Sequence, residues 1–117
     1  MTVSRSHGLG PDAALSVSFS NNDESTAVDL GGLLLVGLLV PNTLPDSSLG
    51  FKVAATSTGS YVTLKDHEGN DVEVSVDNGA AACYDVTDKL RAAVRYLKLT
   101  CDTNVTGEIT LITRVDM

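Results

Sequence analysis

The sequence contains no tryptophan, and its aromatic residues are five: Phe19, Phe51, Tyr61, Tyr84 and Tyr96. So sparse a set makes a stacking platform for single-stranded nucleic acid or for sugars hard to assemble. Positive charge is scarce as well. Eight Lys and Arg residues face fifteen Asp and Glu, giving a formal charge of −7. Phosphate backbones would be repelled by such a surface, so no direct nucleic-acid binding is expected. A basic or mixed protein surface is the better match. Cys83 and Cys101 are too few for a disulfide scaffold, and no CxxC or Cys/His spacing suits zinc. They read as reduced thiols acting as small apolar side chains, with a Cys83–Cys101 disulfide as the alternative. The longest apolar run, from Leu30 to Val40, has eleven residues, whereas a membrane helix needs about 20. No membrane partner is expected. The opening "MTVSRSHGLGPDAALS" has no apolar core of the signal-peptide kind. Synthesis and assembly in a reducing cytoplasm are therefore expected.

Catalytic motifs are lacking too. No G-x-S-x-G, G-x-G-x-x-G or P-loop occurs, and His7 and His67 stand far apart. The densest cluster of ionisable groups is "KDHEGND", residues 65–71. Counted from Asp66 as a calcium loop, the sixth position is Asp71 where glycine is needed, and no Glu stands at the twelfth. A paired acid and base would need a pocket that separates their pKa values, which a solvated tip does not provide. Asp66, with Gly69-Asn70, instead has the chemistry of a tight turn at the tip of a hairpin. No catalytic residue, metal site or cofactor is expected, and the chain is not read as an enzyme.

What is present is β-structure. A length of 117 residues is one domain, large enough to bury a core without disulfides or a metal. Residues 1–12 are polar and unpatterned, which suggests a flexible arm ahead of a domain spanning 13–117. In "ALSVSFS", Leu15, Val17 and Phe19 alternate with serines, the period of a half-buried strand. "NNDES" reads as a turn. Gly31-Gly32 reads as a bulge that permits close backbone approach. "LLLVGLLV" reads as a strand covered on both faces. "LGFKVAATS", "YVTLKD" and "DVEVSV" follow as strands, with Val72, Val74 and Val76 on one face. "AAACYDVTDKLRAAV" has helical spacing and a cap at Asp85 or Thr87, so one short helix is expected there. "RYLKLTC" and "EITLITRV" read as two strands separated by a "DTNVTG" turn. About eight short strands with frequent turns predict an all-β fold, an antiparallel β-sandwich or jelly roll.

The order of these segments resembles small virion proteins of tailed bacteriophages. The resemblance is carried by "STAVDLGGLLLVGLLVP", "LGFKVAATSTGSYVTLKDHEGNDVEVSV", "LRAAVRYLKLTC" and "GEITLITR", and spans Ala14 to Arg114. It implies a capsid decoration, or cement, protein. Such a protein binds the outer head shell, bridges neighbouring major capsid proteins and often forms dimers or trimers. The location it implies is the capsid exterior. It carries over no catalytic residue. The layout also looks like discoidin-type carbohydrate-binding domains, which keeps a glycan-binding module of a phage tail or fibre as the alternative. That alternative would gain if Tyr61, Tyr84 and Tyr96 lay together on one rim.

Three places stand out as candidate partner contacts. Arg5, His7 and Pro11 lie in the arm, which could order on a neighbour. Leu44 and Pro45 lie in "PNTLPDSS", whose prolines lower the entropy lost on docking. Arg95 and Lys98 could form a positive spot open to intersubunit salt bridges.

Overall fold

A computed structural model describes residues 15–77, 81–87 and 95–115. The described residues are all-β, with 66% of them in strands, and form an antiparallel curled sheet, a half-barrel. The strands are β1 (Leu15–Glu24), β2 (Val28–Asp29), β3 (Leu33–Val40), β4 (Ser47–Ala54), β5 (Val62–Thr63), β6 (Glu73–Val76), β7 (Ala82–Asp85) and β8 (Tyr96–Val115).

β8 organises the whole fold. It runs unbroken for 20 residues, so the turn expected at "DTNVTG" is a correction: the chain bends there but does not reverse. β1 pairs along it from Leu15↔Leu111 to Glu24↔Thr100. That partner supplies the reason. β1 pairs with β8 on both sides of the expected turn, at Val105–Leu111 and at Thr100, and Val105 is buried, so the turn chemistry of residues 102–104 yields an irregularity in the register and no reversal. The expected turn at "NNDES" is likewise absorbed. Asn21, Asn22 and Asp23 continue β1 through two register shifts, with Asn21 at φ 51°, and such bulges bend a strand. β4 and β3 hydrogen-bond to successive stretches of β8, at 96–101 and 110–115. β6 and β5 lie end to end along β4, and β7 pairs with β3.

The concave side holds the core. Val17 and Phe19 of β1, Leu49 and Phe51 of β4, Val74 and Val76 of β6, and Leu97, Leu99, Ile109 and Leu111 of β8 are all buried. The valine stripe of residues 72–76 and the alternation in "RYLKL" therefore face inward as their period of two requires. Ser25 is buried among them with its polar groups matched. Its amide donates to the Leu99 carbonyl at 2.9 Å, and the Leu99 amide donates to its Oγ at 2.9 Å.

β3 departs from the sequence reading in an informative way. Leu35 pairs with Thr113 and Gly37 with Ile112, leaving Val36 as an extra residue. This bulge shifts the alternation by one. Leu33 and Leu35 point inward before it, and Leu38 and Val40 after it. The unbroken apolar run thus contains two half-periods out of phase. The second face is not covered: Leu39 is 45% exposed. Gly31 also corrects an expectation. A Cβ there would meet nothing within 4 Å, so the glycine serves its φ of 61° in a turn and no close approach.

Among the described residues there is no helix. Ala82–Asp85, inside the segment expected to be helical, is strand, because pairing with Gly37–Val40 decides the conformation over any local helix preference. The remainder of that expected helix, 88–94, lies outside the described residues.

Candidate functional site

The acidic loop resolves as a turn. Its base is the Lys65↔Asp71 bridge, joined by an ion pair between the two side chains. Asp66 Oδ1 accepts the Glu68 and Asn70 amides, both at 2.9 Å. The Asp66 amide donates to the Asn70 carbonyl at 2.8 Å, and Gly69 takes φ 87°. These donors hold the Asp66 carboxyl below its ordinary value, the Asn70 amide most strongly. One carboxylate is therefore spent on its own backbone, and His67 and Glu68 are exposed. Among the described residues no group of three His, Cys, Asp or Glu side chains could hold a metal ion. β5 and β6 run collinearly along β4, so residues 65–71 form a short excursion between them and not the tip of a long hairpin.

Arg95 and Lys98 each sit in a paired polar network on the outer face. Arg95 donates from Nε and Nη2 to the two carboxylate oxygens of Asp29, at 2.9 and 3.2 Å. Its guanidinium also lies 5.1 Å from the Tyr96 ring centroid. The Arg95 fork is the main cause holding the Asp29 carboxyl low, aided by the Gly31 amide. Lys98 stands directly opposite Lys52 in the ladder, a like-charge pair that would repel if left alone. Glu24 bridges them. It pairs with Lys52 through Oε2 and lies 3.6 Å from Lys98 Nζ through Oε1. The Lys98 ammonium also lies 4.7 Å from the Tyr61 centroid. Two lysines share one carboxylate, so this strip keeps a local positive excess on an acidic chain. Sequence reasoning missed Glu24, Asp29 and Lys52, and singled out Tyr61 only as part of a possible glycan rim. Asp29 and Arg95 are 66 positions apart, and no local pattern joins partners at such distances.

Leu44 has no exposed surface. It turns in from its loop and packs against β8 where the strand bends: a Cβ placed on Gly107 would lie 2.9 Å from Leu44 Cδ1. Its side chain fills the core and does not offer itself as a contact; neighbouring Pro45 is exposed. The reason is topological, since the 41–46 loop spans the gap between β3 and β4 along β8. Beside that loop runs an open groove of about 530 Å³ lined by Asp46, Ser48, Ser75, Asp77 and Asp102 among others. The Ser48 amide donates to Asp102 Oδ1 at 3.2 Å. Arg5, His7 and Pro11 lie outside the described residues.

The tyrosines divide between faces. Tyr61 and Tyr96 belong to the outer face beside Lys98 and Arg95. Tyr84 packs against the core and accepts the Asp77 amide on its hydroxyl at 3.1 Å. They do not form one rim. The two cysteines are free, Cys83 exposed and Cys101 buried.

No protein-family model matches this sequence, and searches among curated proteins and solved structures find no match either.

Proposed function

We propose that this chain is a virion structural protein of the capsid decoration type, which binds the outside of a phage head shell and bridges neighbouring major capsid proteins. The observation that carries the reading is the sheet's outer surface. Residues from four separate parts of the sequence meet there in one cross-linked polar patch, with Lys52, Glu24, Lys98 and Tyr61 held together. A rigid face of paired charges suits contact with another protein surface, because little side-chain entropy remains to be lost on docking. The acidic balance suits a basic or mixed coat surface. The segments that carry the resemblance to phage virion proteins supply β2 to β6 and β8.

On this reading the half-barrel belongs to the sandwich or jelly-roll class, with the bend of β8 carrying the chain from one layer to the other. Each copy adds weak contacts across a joint between coat subunits. It stabilises the assembled shell by mass action, because it favours that state, and many copies add through avidity.

Co-sedimentation of the purified chain with coat-protein shells tests this, with expanded shells compared against unexpanded precursors. Saturable binding to expanded shells is expected. Absence of binding to both would refute the cement role and direct attention to glycans.

A further inference from the structure

We propose that the outer face of β3 is a self-association surface, on which a second copy of this chain packs face to face about a two-fold axis. The neighbouring strands turn polar residues outward: Ser16 and Ser18 on β1, Thr110 on β8. β3 does not. Its bulge leaves Leu34, Val36 and Leu39 facing out, and Ile112 of β8 extends the stripe. Leu39 and Ile112 are 45% and 39% exposed. Between them sits Gly37, where a Cβ would lie 3.3 Å from Ile112 Cβ. The space its side chain would take is already filled by Ile112 and by Cys83 Sγ, 3.4 Å from that position, so these neighbours close over the glycine and keep the stripe continuous. A contiguous outward aliphatic stripe of this kind marks a partner surface.

The charges at its rim select the occupant. Arg114 stands on β8 opposite Leu34, and Asp85 on β7 opposite Gly37. Lys52, Lys65, Arg95 and Lys98 are each ion-paired within the chain; among the described residues Arg114 has no such partner. Asp85 is bound by the Thr87 amide and hydroxyl, at 2.9 and 2.7 Å, and by no cation among the described residues. Those donors keep it ionised. From the ladder, Arg114 and Asp85 are two strands and about two residues apart, roughly 12 Å by ordinary strand spacings. A two-fold axis in the plane of the stripe, passing over Val36, exchanges the two positions. Each copy's Arg114 then meets the other copy's Asp85. An apolar centre with charged pairs at its rim is the ordinary anatomy of a protein interface, and a two-fold contact closes on itself. This inference goes beyond shell binding and stands whether or not the chain binds a shell.

The test is the mass of the full chain across a concentration series, by sedimentation equilibrium. The wild type is expected to approach twice the 12.2 kDa of one chain. Leu39→Lys is expected to stay at one chain's mass with an unchanged far-UV spectrum. Arg114→Asp and Asp85→Arg are each expected to weaken association by about tenfold or more, and the double variant to recover most of that loss. Asp85→Arg also removes the Thr87 turn, and a purely local defect would not be repaired by Arg114→Asp. A wild type that stays monomeric up to millimolar concentration overturns the proposal. So does a dimer that survives Leu39→Lys, or a double variant no better than the weaker single.

Discussion

Leu44→Ala separates a loop leucine that docks on partners from one that holds the fold together. The side chain has no exposed surface, so truncation removes three fully buried carbons. At about 0.8 kcal/mol for each buried carbon, transfer alone accounts for about 2.4 kcal/mol. A cavity that the surrounding sheet cannot close raises the total to about 3–5 kcal/mol. A domain of this size has about 5–15 kcal/mol in all, so the variant loses a large share of its stability. The assay is urea unfolding followed by far-UV circular dichroism, with the midpoint falling and the slope unchanged. Pro45→Ala, next in sequence and exposed, should shift stability by no more than about 1 kcal/mol. Gly107 supplies an internal check. A methyl there would press on Leu44 Cδ1 at 2.9 Å, so Gly107→Ala should cost less in the Leu44→Ala background, with a coupling of about 1 kcal/mol or more. The backbone strain at Gly107 is the same in both backgrounds and cancels. A Leu44→Ala loss below about 1 kcal/mol, or no coupling to Gly107, would refute the placement of this loop over the bend of β8.

Three further outcomes follow from the same geometry. Glu24 is held below the ordinary glutamate value, chiefly by its hydrogen bond from Lys52; its contribution is present above that value and is lost as pH falls through the lowered one. Glu24→Gln should therefore lower stability near neutral pH and flatten the acid limb of stability against pH, and an unchanged acid limb would count against the Lys52–Glu24–Lys98 bridge. A thiol reagent should modify Cys83 rapidly in the native chain and Cys101, 7% exposed, only on unfolding; two fast native thiols would contradict the buried position of Cys101. Asp66→Ala should accelerate hydrogen exchange at the Glu68 and Asn70 amides while leaving Val74 protected, and equal acceleration at Val74 would show that the turn supports the sheet as well.

The all-β class was legible because inward and outward residues alternate in β1, β4, β6 and the first part of β8, and that period is local. The tight turn at residues 65–71 was legible for the same reason: Asp66 bonds to amides only two and four residues away. The continuity of β8 was not legible. Its middle has turn-forming residues, and pairing with β1 and β4, from distant parts of the chain, holds the residues on either side extended. Nor was the strand at Ala82–Asp85, where pairing with β3 outweighs the local signals read as helical. The polar strip could be half seen: Arg95 and Lys98 stood out as cations, but their carboxylates at Asp29 and Glu24 come from distant β1 and β2. Leu44 looked like a stray loop leucine because burial depends on which gap the loop crosses. The sequence by itself determined the alternating strands β1, β4, β6 and the first part of β8, through the chemistry of adjacent residues. Tertiary structure alone decided which strands meet, which charges neutralise one another, and that the bulge at Val36 turns an apolar stripe outward. Those outcomes depend on contacts between residues far apart in the chain, and no local period encodes them.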